Sequence, residues 1–424
     1  MMRARLVALL LTLTIGRSVG LAAADSVVEI GDDPRLATLT VTTFATGLDF
    51  PTGMVELPDG SLLVATSAPT GGGFFTSTGE LLRLTDEDGD GIADDAGTVL
   101  ATGLPGTLVS LALAGDLVLT TSAEGGNEQI VVLRQGETWT DPLEPAGSLR
   151  FVFQGFNHQS YGLAVRESPE VEGGYEVIFN IGASGNDTSG RIAYTQGLAE
   201  AQLWDASLYR MTITDSNGEV TATEPEQIAA GLRNAAAIVF DPATGDLVIT
   251  DNGIDTPENR VVALSADELY RLPAGEIGGE IEDYGFPTAY VDYATGDRVG
   301  DQAIAPEVAY RPIDGPGGVS EAEGVASVAL MPEGFPNELQ GVVAGFHGQY
   351  DDVGVANEEN SLLLTMTATG DTIELFANAD PAIGHIDGLT STATTLYAAD
   401  LCSGLLTQAA PCGTVYAVRA EEGG

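Results

Sequence analysis

The feature that most limits what this 424-residue chain can become is a unit that returns six times. Each copy has a polar or Pro-containing lead-in, an apolar run, a turn with Gly, Pro, Asp or Asn, and a second run that ends on a small or polar residue. The copies read FPTGMVELPDGSLLVATS from Phe50, LPGTLVSLALAGDLVLTTS from Leu104, HQSYGLAV with YEVIFNIG from His158, RNAAAIVFDPATGDLVITDNG from Arg233, EGVASVALMPEGFPNELQGVVAGFHG from Glu323 and HIDGLTSTATTLYAADLCSG from His385. Anchored on Leu62, Leu117, Val177, Leu247, Val342 and Leu396, the steps are 55, 60, 70, 95 and 54 residues. Each interval holds further strand-like runs such as GELLRLT, GTVLATGL, SLYRMTIT and SLLLTMTAT. Four short strands per repeat make a propeller blade, so the expected fold is all-β, a six-bladed β-propeller with four antiparallel strands per blade. A β-sandwich is the alternative, but nothing in a sandwich asks one hairpin to recur six times. The two longer steps predict insertions, which repeat architectures place in loops and often on the binding face.

Composition removes other classes. Gly 54 and Pro 20 are too many breakers for a helical bundle, and a hydrophobic fraction of 44% is too high for a disordered acidic chain. Lys+Arg 16 against Asp+Glu 62 gives a net charge of −46, and every basic residue is Arg. Such a surface repels phosphate backbones and anionic lipid, which excludes nucleic-acid binding and electrostatic membrane docking. Residues 1–24 read as a secretory signal peptide: Arg3 and Arg5, an apolar run from Leu6 to Ile15, and Ala22 to Ala24 as a small-residue cleavage site. The remainder, 25–424, is then a single propeller domain, secreted or periplasmic, without membrane insertion. Cys402 and Cys412 can close a small disulfide loop in an oxidising compartment, two buried thiols being the alternative.

In a blade, the residues before the first run and after the second gather at the mouth of the central channel. All three histidines fall there: His158 and His385 in lead-ins, His347 after a second run. Arg233 and Asn234 occupy another lead-in. In a chain without Lys, this gathering predicts a mouth less negative than its surroundings, suited to an anion, a metal or an acid–base step. Taken singly, each is also an ordinary structural hydrogen-bonding group. Separately, DEDGDGIADD sets out Asp86, Asp88, Asp90, the Ile92 carbonyl and Asp94 at positions 1, 3, 5, 7 and 9 of a calcium loop, with Gly91 at 6. Gly97 stands where an EF-hand has its bidentate Glu, and Asp95 could complete the set. The loop reads as the turn between the third and fourth strands of blade 1, away from the mouth, with a structural role; a solvated acidic turn is the plainer alternative.

The segments NHQSYGLAV, YEVIFNIGASGN, GLRNAAAIVFDPATGDLVITDNG, SADELYRLPAGE and DYGFP resemble the glucose/sorbosone dehydrogenase family, secreted six-bladed propellers related to sugar dehydrogenases that use pyrroloquinoline quinone (PQQ). The resemblance implies that His158 matches the base that takes the proton of the sugar C1 hydroxyl. It implies that Arg233 and Asn234 match quinone contacts, and that Glu268 and Tyr284 lie where some members hold a second calcium. The chain departs from the family pattern at several of its cations. His347 stands where relatives carry a quinone-binding Lys, GTVYAV offers Thr414 and Ala417 where relatives often show Arg, and Ala235 replaces the proline after the Arg-Asn pair. Arg233, His347 and His385 could partly replace the missing cations.

Two functions follow as expectations. One is a PQQ-dependent oxidoreductase acting on an aldose or polyol, with His158 as general base. The other is a non-catalytic secreted propeller that binds a glycan, protein or small anion. A three-histidine metal site is a third reading.

Overall fold

A computed structural model describes residues 28–67, 78–124, 127–153, 158, 160–256, 263–301, 304–311, 313–315, 318–320, 324–348, 362–377, 385–401 and 413–421. Among these there is no α-helix, and six antiparallel sheets form a six-bladed propeller. The leader and both cysteines lie outside the described residues.

Blade 1 comprises Met54–Glu56, Leu62–Ser67, Gly79–Leu84 and Thr98–Leu104. Blade 2 comprises Thr107–Ala114, Leu117–Glu124, Asn127–Arg134 and Glu144–Val152. Blade 3 comprises Leu163–Glu167, Gly174–Ile181, Ser207–Ser216 and Glu226–Ala230, and blade 4 Ala237–Phe240, Leu247–Asp251, Asp267–Leu272 and Val308–Tyr310. Blade 5 comprises Val325–Leu330, Gly341–Phe346, Leu362–Met366 and Thr372–Glu374. Blade 6 takes Ile386–Ser391, Thr395–Asp400 and Gly413–Ala420 from the C-terminal region and its outermost strand, Leu39–Leu48, from the N-terminal region. All six sequence anchors fall in second strands.

The hairpins form where the sequence supplies their turns. In blade 1, Asp59 accepts from the Ser61 amide at 3.1 Å and Gly60 turns at φ 82°, so Pro-Asp-Gly reverses the chain between two apolar runs. Second strands are near-continuously buried, as in Leu62–Ser67, because each is covered on both faces by neighbouring blades.

The core is divided by joint. Leu57, Leu63 and Leu81 of blade 1 pack on Leu108, Val118 and Val131 of blade 2. Val177, Phe179 and Tyr209 of blade 3 meet Leu119 and Leu149 of blade 2. Comparable clusters join blades 3 and 4, 4 and 5, and 5 and 6. The last joint, blade 6 to blade 1, sets Phe44 and Tyr397 against Met54, Leu62 and Val64. First strands neighbour one another in a closed cycle around a channel of about 630 Å³ lined by residues such as Val55, Leu111, Val165, Phe240, Leu330 and Leu389. Adjacent first strands nearly touch at the neck: a Cβ on Gly388 would sit 2.0 Å from the Thr52 carbonyl oxygen, so blade 6 approaches blade 1 this closely only through glycine.

Both predicted insertions exist. A hairpin from the connection after blade 3's second strand, Ile192–Gly197 with Gln202–Trp204, crosses over to extend the edge of blade 2 to six strands. The segment after Asp267–Leu272 returns along blade 3, pairing Glu282–Asp283 with Ala229 and Ala230, and its Phe286 amide bonds the Gly231 carbonyl. That places it under the lead-in that carries Arg233.

Phe44 tests the closure, since it lies on the N-terminal strand, is buried, and meets Tyr397 edge-on at 5.0 Å. Phe44→Ala should lower the unfolding free energy by about 3–5 kcal/mol, read as a lower urea midpoint, with no such loss for exposed Thr40→Ala.

Candidate functional site

The mouth is built at the end of the channel where first strands begin and second strands finish. His158 is half-buried, and its amide bonds the Ala183 carbonyl at 3.3 Å. A Cβ on Gly182 would come within 2.8 Å of the His158 Cβ, so glycine allows the histidine to lie over the end of blade 3's second strand. The Ala183 amide in turn bonds the Arg233 carbonyl at 2.8 Å, which ties two lead-ins into one backbone network.

Arg233 is only 4% exposed. Its Nη2 donates to Asp255 at 3.0 Å and to Asn186 Oδ1 at 2.7 Å, and its Nε donates to the Asn186 carbonyl at 3.0 Å. The turn that presents it is held by Asp251, whose carboxylate accepts from the Arg233 amide at 2.9 Å and the Asn234 amide at 2.6 Å. Asn234 donates to Asn252 at 2.9 Å and accepts from Asn180 at 3.2 Å, while Asn252 reaches the Val325 carbonyl of blade 5 at 2.7 Å. Asp267 accepts from the Gly253 and Val325 amides, both at 2.6 Å. Burial drives the Asp251 carboxyl up to about 8, although the two amide donors oppose it, and raises Asp267 in the same way.

On the blade 5 and 6 side, His347 Nδ1 lies 2.9 Å from both oxygens of Asp387, and the His347 and His385 rings stack at 4.2 Å. His385 is fully buried, and its Nδ1 bonds the His347 carbonyl oxygen. Burial by itself would lower His347, but the charge and hydrogen bond of Asp387 outweigh it and the imidazole is raised above its ordinary value. Tyr161 links the sectors. Its phenol is pushed well up by burial and by the charges of Glu128 on blade 2 and Asp387 on blade 6. Glu128, which accepts from the Ser160 amide at 2.7 Å, is itself raised to about 7 by burial.

The predicted mouth residues thus take their predicted blade positions, and they do so in company with acids that the sequence reading did not include. Among the described residues, Arg233 is paired with Asp255 and His347 with Asp387, while Glu128, Asp251 and Asp267 add further buried acids. A three-histidine metal site is not formed either. The metal-capable cluster among the described residues is Asp86, Asp88 and Asp90, and it contains no histidine. Glu268 and Tyr284 sit in the packed joint of blades 3 and 4. Glu268 accepts from the Tyr270 hydroxyl and, at 3.0 Å, from the Val291 amide; Tyr284 meets Tyr270 edge-on at 4.7 Å. They form a structural tie with both carboxylate oxygens engaged.

Sequence reading missed Glu128, Asp251, Asp267 and Asp387. The available signal was an acid inside or at the end of an otherwise apolar strand, as in TDNG and HIDG.

No family model and no curated protein matches the chain. Solved structures do. A Trichoderma reesei protein of carbohydrate-active enzyme family AA12, in a calcium structure, is similar at TM-score 0.60 and 16% identity over 94% of this chain and 98% of that one. The PQQ domain of pyranose dehydrogenase from Coprinopsis cinerea is similar at 0.56 and 14%, over 92% and 97%. The PQQ-bound aldose sugar dehydrogenase of Streptomyces coelicolor is similar at 0.56 and 15%, over 90% and 99%. The fold is glucose/sorbosone dehydrogenase-like. At these identities the likeness concerns the propeller itself. No helix among the described residues is long and apolar enough to cross a membrane.

The His347–Asp387 pair gives a pH prediction. Because the folded pKa is raised, its contribution to stability is complete below the unfolded value of about 6.5 and is lost as pH rises through the folded value. Asp387→Asn should bring the His347 titration, followed by NMR, down and flatten that part of the stability profile. An unmoved titration would contradict the pairing.

Proposed function

We propose that the channel mouth takes an uncharged sugar or polyol on an oxidoreductase-type propeller, with His158 receiving a proton from a substrate hydroxyl. The observation that carries this reading is the polar make-up of the lead-ins, acids and amides around cations that are already paired. Asp251, Asp255, Asp267, Glu128, Asn186 and Asn252 surround lead-ins whose described cations already have partners. Carboxyl and amide groups exchange hydrogen bonds with hydroxyl groups, whereas an anionic ligand finds Arg233 and His347 already paired with Asp255 and Asp387. His158 is half-buried and tied through Ala183 to the Arg233 lead-in, and a base there must approach within about 3 Å of a bound hydroxyl.

Oxidation of the carbon bearing that hydroxyl needs a hydride acceptor, which PQQ supplies when bound. PQQ carries three carboxylates and calls for several cationic donors. The mouth, where Arg233 and His347 are already paired with Asp255 and Asp387, does not fit that demand. The same mismatch favours a second reading, glycan binding without turnover. We also read residues 1–24 as an export leader and the protein as secreted or periplasmic, which detection of Met1 by N-terminal sequencing from the native host would overturn.

Calorimetry on the full chain should detect neutral aldoses or polyols and give weaker or no heat with the corresponding uronates. Preferential binding of the anionic forms would overturn the proposal. If dye-linked turnover is reconstituted with PQQ and calcium, His158→Ala should lower it by about 10²–10⁴-fold while leaving the melting temperature in place. Sugar binding without turnover would select the second reading.

A further inference from the structure

The acidic loop 85–97 belongs to no part of the mouth, yet it does more than connect the third and fourth strands of blade 1. Asp86, Asp88 and Asp90 each bring a carboxylate oxygen within 4.8 Å of the others. Backbone amides hold one oxygen of each: Gly91 N donates to Asp86 Oδ2 at 3.0 Å, Asp90 N to Asp88 Oδ1 at 3.2 Å, and Ile92 N to Asp90 Oδ1 at 2.8 Å. Asp86 has a side chain only 9% exposed, and its Oδ1 is buried with no hydrogen-bond partner. A buried carboxylate oxygen left unmatched is costly, and a hard cation coordinated there removes the cost.

The loop also grips the ring closure. Arg419, on blade 6's third strand, donates from Nη2 to Asp86 Oδ2 at 2.9 Å and from Nη1 to the Gly89 carbonyl at 3.0 Å. Thr42 Oγ1, on the N-terminal strand, donates to the Gly91 carbonyl at 3.0 Å, and the Ala93 amide donates to the Phe44 carbonyl at 2.8 Å. Both strands that complete blade 6 are therefore bonded to the loop. Gly97, where a bidentate Glu is absent, cannot carry a side chain: a Cβ there would lie 2.7 Å from Leu84 Cδ2, at φ 83°. Asp94 Oδ2 is already committed to the Glu87 amide at 2.7 Å. A cation held by these carboxylates alone would need water to complete its coordination and would bind more weakly than in a complete EF-hand loop.

We propose that Asp86, Asp88 and Asp90 form a calcium site whose occupancy fastens the blade 6 to blade 1 closure. An ion there fixes the loop that holds Thr42, Phe44 and Arg419, so binding to the folded ring raises its stability by mass action.

The test uses the full chain stripped with EGTA. Calorimetry and thermal melts with calcium chloride should show binding and a rise in melting temperature that sodium chloride of equal ionic strength does not reproduce. Calcium should also slow amide exchange in Leu39–Leu48 and Gly413–Ala420 more than in blade 3. Asp88→Asn, on an exposed residue, should weaken calcium at least tenfold and remove the shift while leaving the calcium-free melting temperature in place; Asp90→Asn serves if that variant folds poorly. Absence of calcium binding by wild type would overturn the proposal. So would a shift that survives in the variants, which would place the ion elsewhere, or exchange at the closure that does not respond.

Discussion

Every blade depends on its neighbours for the burial of its faces. Leu63 of blade 1 is covered by Leu108 and Val118 of blade 2, and Phe179 of blade 3 by Leu119 and Leu149 of blade 2; among the described residues, the blade strands are buried in clusters shared between neighbouring blades. Apolar burial stabilises in proportion to the area removed from water, so an open arc of five joints leaves two apolar faces wet. The ring must close. It does so through a strand far away in sequence, Leu39–Leu48, which pairs with Gly413–Ala420 and delivers Phe44 to the last joint.

That closure explains how the few cations are used. With a net charge of −46, a cation placed between separate elements relieves more repulsion than one left in solvent. Arg419 joins blade 6 to the acidic loop of blade 1, Arg134 reaches Asp215 of blade 3 from blade 2, and Arg35 links the N-terminal segment to Asp371 of blade 5. The more exposed of these pairs, Arg35 with Asp371 and Arg134 with Asp215, are each worth about 0–1 kcal/mol, so they order the joints more than they stabilise them.

The mouth follows from the same geometry. First strands converge so closely that their lead-ins cannot all form ladder hydrogen bonds, and the stranded amides need acceptors. Buried acids supply them: Asp251 takes the amides of Arg233 and Asn234, Asp267 those of Gly253 and Val325, and Glu128 that of Ser160. The acidity of the mouth is thus part of the scaffold.

The repeat, read as a hairpin of fixed pattern, determined the strand count, the six blades and the positions of His158, Arg233, His347 and His385, because alternating burial and turn chemistry act within a few residues. The acidic loop was legible for the same reason, the spacing of its carboxylates being a local property of Asp86 to Asp94. What only the tertiary structure decided involves partners far apart in sequence. The N-terminal strand closes blade 6, Asp387 claims the His347 ring across 40 residues, and Glu268 turns inward to Tyr270 and Val291. A lead-in histidine or arginine shows in the sequence that a cation reaches the mouth. Whether it remains available there depends on which carboxylate the neighbouring blade brings beside it, and that is set by the packing of the joints.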